Sequence, residues 1–371
     1  MTLSQRRDRL RDRLAAAGLD AMLVTDLVNV RYLSGFTGSN AALLIRVSET
    51  TPVLATDGRY RTQAAGQSPD AEVVIERACA PYLAGRAAAD GARRLGFESH
   101  VVTVDGHRGL LKAAGDTELV RAPGTVEGLR EIKDAGEVAL LRLACEAADA
   151  ALADLLATGG LRPGRTEKQV RRDLEALMLD HGADGPSFET IVATGANSAI
   201  PHHRPTDAVL DTGDLVKIDF GALVSGYHSD MTRTFVLGHA QDWQREIYDL
   251  VATAQRAGTE ALAAGVTLAG VDAASRQVIA DAGYAENFGH GLGHGVGLQI
   301  HEAPGINAAA AGTLLAGSVV TVEPGVYLPD RGGVRIEDTL VVGPERDRQT
   351  GTGTDTPDLL TRFPKELVII D

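Results

Sequence analysis

Residues 214–237 read DLVKIDFGALVSGYHSDMTRTFVL. Successive side chains of a strand point to opposite faces. Val216, Ile218 and Phe220 therefore make one apolar face, and Lys217 and Asp219 point the other way. Further along, Met231, Arg233 and Phe235 share a face, with Asp230, Thr232 and Thr234 opposite. A short glycine-containing turn joins the two runs, which predicts a hairpin with Asp219 and Asp230 on one side. Like charges facing across a ladder are destabilising. A divalent cation is the direct compensation.

The pattern recurs near the end of the chain. Glu323 closes the apolar run in SVVTVEPGVYL (318–328). In GVRIEDTLVVG (333–343), Val334 and Ile336 face one way, Arg335 and Glu337 the other. A carboxylate inside a β-branched strand is strongly unfavourable when buried and unpaired. Four such groups on two hairpins ask for a shared partner. Between the hairpins lies GHGLGHGVGLQIHE (289–302), where three histidines sit among five glycines on alternate positions. Four carboxylates and one imidazole suit two hard-to-borderline divalent ions, which activate the water between them. The glycines are expected to let a peptide lie close to the histidines. Upstream, ANSAIPHHRPTD (196–207) puts His202 and His203 in a Pro-flanked turn that can overhang such a site. Two rival motifs fail. Positions 294, 296 and 298 are not glycine, so no dinucleotide fingerprint forms, and no histidine stands four residues after His301 to make a zincin helix.

Composition narrows the class. At 371 residues and 44% hydrophobic content, the chain supports two domains with real cores. A net charge of -14 excludes nucleic acid and anionic membranes as favoured partners. Two cysteines, Cys79 and Cys145, make neither a disulfide framework nor a thiolate metal site and fit a reducing compartment. Asp20 interrupts the apolar run near the N-terminus, and Leu10, Leu14 and Leu19 suit an amphipathic helix rather than a signal peptide. No run of 18 apolar residues appears. A cytoplasmic protein is expected.

Along the chain, residues 5–18 read as a helix, DAMLVTD as a strand, and NVRYLSGFTGSNAALLIRV as a turn and then a strand. The alternation of helix and strand continues to about residue 120, and RAPGTVEGLREIKDAGE (121–137) marks the boundary. The expected domains are 1–125, α/β, and 126–371, catalytic. In the second, long helices begin near residues 137 and 166, further helices span 242–264 and 270–282, and each pair is followed by β-runs. Residues 346–358 read as a polar surface loop.

The segments DLVKIDFGA, HSDMTRTF, GHGVGLQIHE, TVEPGVY and GVRIED, in that order, resemble the pita-bread metallopeptidases. LVTDLVNVRYLSGFTGSNAALL and TDGRYRTQA resemble the smaller N-terminal domain of the prolidase and aminopeptidase P branch, which cleaves the bond before proline. The likeness is strongest to short cytoplasmic Xaa-Pro peptidases of actinobacteria. It implies an α+β chain: a creatinase-type α/β domain, then a pita-bread domain. It implies five ligands to two divalent ions, manganese first, with cobalt, zinc or iron as alternatives. Asp230 and Glu337 bridge, Asp219 completes one ion, and His294 and Glu323 complete the other. His202 and His301 meet the substrate and steady the oxyanion, at about 2–4 kcal/mol per donor. Glu323 accepts the proton. Tyr327 and Arg335 hold the ligand carboxylates, and Arg335 is also placed at the substrate. The implied partners are short proline-containing peptides and a second copy of the chain. A creatinase-like hydrolase would lack the ligands, a methionine aminopeptidase would lack the long N-terminal domain, and a scaffold on a dead peptidase would have lost ligands. No role is assigned to His203 or His290.

Overall fold

The first helix runs Leu3–Ala16 and starts at a capping box, Thr2 accepting from the Gln5 amide while Gln5 returns the bond. Leu10 and Leu14 are its fully buried residues on the expected face. The computed structural model describes residues 1–343 and 356–370; residues 346–355 of the expected polar loop lie outside the described residues. The described chain forms two compact units, Met1–Arg130 and Glu131–Asp371.

The first unit is built on a mixed six-stranded sheet in the spatial order Glu72–Ile75, Val53–Thr56, Ala41–Arg46, Ala21–Val24, Arg94–Phe97, Glu118–Arg121. Leu23, Leu44, Ala55 and Leu95 pack there against Leu83 and Ala87 of the Cys79–Ala89 helix. One expectation is corrected. The turn read ahead of the Ala41–Arg46 strand begins as a helix, Leu27–Ser34. Asp26 caps it by accepting from the Val28 amide, and Gly35 ends it in the left-handed conformation at φ 78°. These end signals, with Val30 and Leu33 turned into the core, outweigh the β-branched residues inside.

The second unit runs helix–helix–strands twice. Helices Ala135–Ala157 and Glu167–Asp180 precede the first set of strands, and Asp242–Glu260 and Leu268–Asp281 precede the second. Asp134–Glu137 and Thr166–Gln169 form the capping boxes of the first pair. Among the described residues, the first sheet has the order Ile369–Ile370, Met231–Leu237, Leu215–Phe220, Ile191–Thr194. Its Val216, Ile218 and Phe220 pack against Leu152, Val170 and Leu174 of the first helix pair. The second sheet contains Gly293–Gly295, Val319–Val322 and Asp338–Val341. Val320, Val322 and Leu340 join Val251, Ala254 and Val271 of the second pair. No helix among the described residues is long and apolar enough to cross a membrane.

The two carboxylate-bearing hairpins share a feature that alternation alone does not show. Leu215–Phe220 pairs antiparallel with Met231–Leu237, Thr232 standing opposite Asp219. The ladder then breaks at Gly221. Its continuation, Ala222–Val224 with Tyr227–His228, belongs to a different sheet and closes over Ser225 and Gly226, at φ 48° and 79°. Likewise Val319–Val322 pairs with Asp338–Val341, while the hairpin tip, Gly325–Leu328 with Gly332–Arg335, forms a sheet of its own. Asp219, Asp230, Glu323 and Glu337 all sit at or beside these breaks.

At the first break a Cβ on Gly221 would lie 1.9 Å from the Ser229 carbonyl oxygen. Gly221→Ala is therefore expected to lower unfolding stability by about 1–3 kcal/mol. Gly185→Ala, where an added Cβ meets nothing within 4 Å, should change it by less than about 0.5 kcal/mol. Denaturant titration of both variants checks the contrast, and equal losses would refute it.

Candidate metal centre

Asp219, Asp230, His294, Glu323 and Glu337 all line one cavity of about 720 Å³, with His202 and His301 on its wall. Asp230, His294 and Glu337 each offer one donor atom, and these atoms lie within 4.8 Å of one another. His294 Nε2 is 3.5 Å from Asp230 Oδ2 and 3.4 Å from Glu323 Oε1. Asp219 Oδ1 and Glu337 Oε1 are buried and have no hydrogen-bond partner. An orphaned carboxylate oxygen in a buried site is costly. A cation bound between these oxygens would satisfy them, so the donor set fits a divalent metal.

Two threonines and one arginine hold the carboxylates in place. Thr232 donates to Glu337 Oε2 at 2.6 Å. Arg335 donates from Nη2 to Asp219, from Nε to Thr232 at 3.0 Å, and from Nη1 to the Tyr327 hydroxyl at 2.8 Å and the Pro201 carbonyl at 3.2 Å. Arg335 is 1% exposed, and these bonds orient Asp219. Tyr327 reaches the carboxylates through Arg335. Its hydroxyl also meets His290 Nε2 at 2.9 Å, and His290 Nδ1 donates to the Gly291 carbonyl at 2.8 Å. His290 thus ends a chain that runs from Gly291 to Asp219, and such chains polarise one another.

In the glycine-rich strand the bare positions let backbones pack closely. A Cβ on Gly293 would lie 2.1 Å from the Thr321 carbonyl oxygen, and one on Gly295 would lie 2.2 Å from that of Ala303. Gly291 and Gly293 also line the cavity. Between Gly293 and Gly295 the register shifts at His294/Gly295. A shift of this kind re-aims a side chain. His294 Nδ1 donates to the Gly295 carbonyl at 3.0 Å, which leaves Nε2 turned to the carboxylates. Thr321 accepts from the His294 amide at 3.0 Å and donates to Glu323 at 3.2 Å. His301 packs edge-on to His294, ring centroids 4.4 Å apart.

Electrostatics carry the mark of crowding. Burial pushes Asp230 well above the usual carboxylate range, and the charges of Glu337, Asp219 and Glu323 push it further. Glu337 is raised for the same reasons. Burial also lifts Glu323 to about 7. It lowers His294 to about 4, and with the Arg335 charge it lowers His290 to about 4. His202 is lowered by burial and by Arg335. Carboxylates that retain protons beside neutral imidazoles mark a site short of positive charge.

Thr232, Thr321 and Lys217 were not singled out from sequence as functional. Thr232 and Lys217 lie on the carboxylate face of their strands, and Thr321 lies two residues before Glu323, so period-two alternation points to them. Nothing local points to the partner of His203, which is Glu167, 2.8 Å away.

The whole chain has close relatives. Residues 139–344 match metallopeptidase family M24, and residues 6–132 match the creatinase/prolidase N-terminal domain. An uncharacterized peptidase of Bacillus subtilis, YqhT, is 40% identical over 98% of this chain and 99% of its own. A Xaa-Pro dipeptidase from Bacillus anthracis superposes with a TM-score of 0.91 at 39% identity, over 99% of this chain and 100% of its own. An X-Pro aminopeptidase from Thermotoga maritima gives 0.88 at 33%, over 98% and 99%. The α+β architecture is a creatinase-type domain followed by a pita-bread domain, as the sequence resemblance implied. The chain belongs to metallopeptidase family M24 and is a metal-dependent hydrolase.

Proposed function

We propose that the protein holds two divalent ions and hydrolyses the Xaa-Pro bond at the N-terminus of dipeptides or short peptides. The observation that carries this reading is one cavity lined by four carboxylates and His294, whose Nε2 lies 3.5 Å from Asp230 and 3.4 Å from Glu323, with orphaned oxygens on Asp219 and Glu337. In this reading Asp230 and Glu337 would serve both ions, Asp219 would hold one, and His294 and Glu323 would hold the other. The donor set admits manganese, cobalt, zinc or iron, and the family resemblance puts manganese first. When bound, such ions lower the pKa of water and polarise a carbonyl. Glu323 accepts a proton from the attacking water and passes it toward the departing proline nitrogen. His202 and His301 face the same cavity and donate to the oxygen on which charge develops. Phe188, Ile191 and Ile300 give the cavity an apolar side for the proline ring. The family resemblance adds a homodimer. A cytoplasmic location is consistent with two free, buried cysteines.

The deciding experiment compares metal-stripped protein with and without added Mn²⁺, on Ala-Pro and Ala-Pro-Ala in parallel. Metal-restored cleavage of the dipeptide alone would make this a prolidase. Rapid cleavage of the tripeptide would make it an aminopeptidase P, and no metal-dependent cleavage of either would refute the proposal. Glu323→Ala should lose at least about 100-fold in turnover; near-wild-type turnover with full metal content would remove Glu323 from the proton path.

Glu323 also links stability to pH. Folded, its burial holds its proton up to about pH 7, well above the usual carboxylate range. The folded chain therefore binds more protons in that interval, and this stabilisation is lost as pH rises through about 7. Metal-free protein should melt lower at alkaline pH than at mildly acidic pH by on the order of a few °C. Added Mn²⁺ should restore the loss, because metal and proton compete for the same oxygens. Glu323→Gln should show a shallower pH slope in thermal melts, and an unchanged slope would remove Glu323 as its source.

A further inference from the structure

His202 stands on an irregular segment between the short Gly195–Ala199 turn and the Leu215–Phe220 strand. Buried charged side chains grip this segment on both sides of His202. Before it, Lys217 Nζ donates to the Ile200 carbonyl at 2.6 Å and the Pro201 carbonyl at 3.3 Å, and Arg335 donates to the same Pro201 oxygen. After it, Glu167 accepts from His203 Nε2 at 2.8 Å, and from the amide and hydroxyl of Thr206 at 2.7 and 2.8 Å. The same carboxylate takes bonds from the Thr194 amide at 3.0 Å and the Asn197 side chain at 2.9 Å. Lys217 and Glu167 are both 0% exposed.

A fully buried lysine in a strand is unfavourable unless its hydrogen bonds are met. Here they are met by the two carbonyls just before His202, with the Tyr327 ring 5.0 Å from Nζ. Lys217 also lies on the same face of the same strand as Asp219, two residues away. One rigid strand thus carries both a cavity carboxylate and the anchor of the histidine segment. Arg335 ties the same two parts, reaching Asp219 and Pro201 with one guanidinium. Glu167 does the equivalent from the first turn of its helix.

We propose that Lys217 and Glu167 are positioning residues, which fix the 196–206 segment so that His202 is held over the carboxylate cluster. This rests on the reading of His202 as a donor to the substrate. The test compares Lys217→Met, Glu167→Gln and His202→Ala, singly and with each of the first two combined with His202→Ala. Readouts are kcat, KM, Mn²⁺ content and thermal midpoint, on whichever of Ala-Pro and Ala-Pro-Ala the wild-type enzyme cleaves. Lys217→Met and Glu167→Gln should each lower kcat roughly 10- to 100-fold, with KM and Mn²⁺ content within about twofold of wild type. In the His202→Ala background neither should cost more than about a further twofold, since groups acting through one another are not additive. Full additivity, or wild-type kcat in folded single variants, overturns the positioning role. Wild-type turnover in His202→Ala overturns the reading of His202 itself and the proposal with it. If Lys217→Met does not fold, Glu167→Gln carries the same test from the helix side.

Discussion

The catalytic half of this protein is organised around the mutual repulsion of four carboxylates crowded on one cavity. In a medium of low effective dielectric, like charges a few ångströms apart repel strongly. Burial, and after it that repulsion, holds protons on Asp230 and Glu337 well above the range in which free carboxylates lose them. The protein's own counterweight is Arg335, buried and bonded at once to Asp219, Thr232, Tyr327 and the backbone of Pro201. A planar fork of donors can serve four acceptors in this way, and a lysine's point charge cannot. One guanidinium does not balance four carboxylates, and that deficit is what makes the cavity a cation site.

Geometry for this crowding comes from strand breaks. An unbroken strand in a packed sheet buries one face and leaves no gap between sheets. Each hairpin here passes from one sheet into another where its carboxylates lie, so those side chains emerge at a seam and not into a core. The tightest contact at the first seam is Gly221 against the Ser229 carbonyl. The glycine-rich strand obeys the same logic. Gly293 and Gly295 let three backbones approach closely, and the register shift between them aims His294 at both hairpins.

Around this centre the remaining groups are held, not free. His294 and His203 each spend one ring nitrogen on a fixed partner, and His290 spends both. Glu302, the residue after His301, accepts from the Gln299 amide at 2.9 Å and forms a buried pair with Lys133 at 3.2 Å. Donors fixed before substrate arrives need no reorganisation as charge develops, and that is where an enclosed site gains most over water.

By itself the sequence determined which residues could do the chemistry. Period-two alternation put Asp219, Asp230 and Glu337 on polar faces, Glu323 closed an apolar run, motif spacing excluded dinucleotide and zincin alternatives, and the cysteine count excluded a thiolate site. Thr166 marks the start of one helix by its N-cap spacing, whereas the stretch of the helix opened by Asp26 reads as a turn. Only the tertiary structure decided where strands break, because alternation reads straight through Gly221 and Pro324 without registering a change of sheet. It alone decided the partners of Arg335, Lys217, His203 and Glu167, which lie tens to more than a hundred positions apart in the chain. A side chain's face is a local property of the backbone and can be read from its neighbours. Its partner depends on how separate elements pack, and that is set by the burial of two cores and the neutralisation of one crowded cavity.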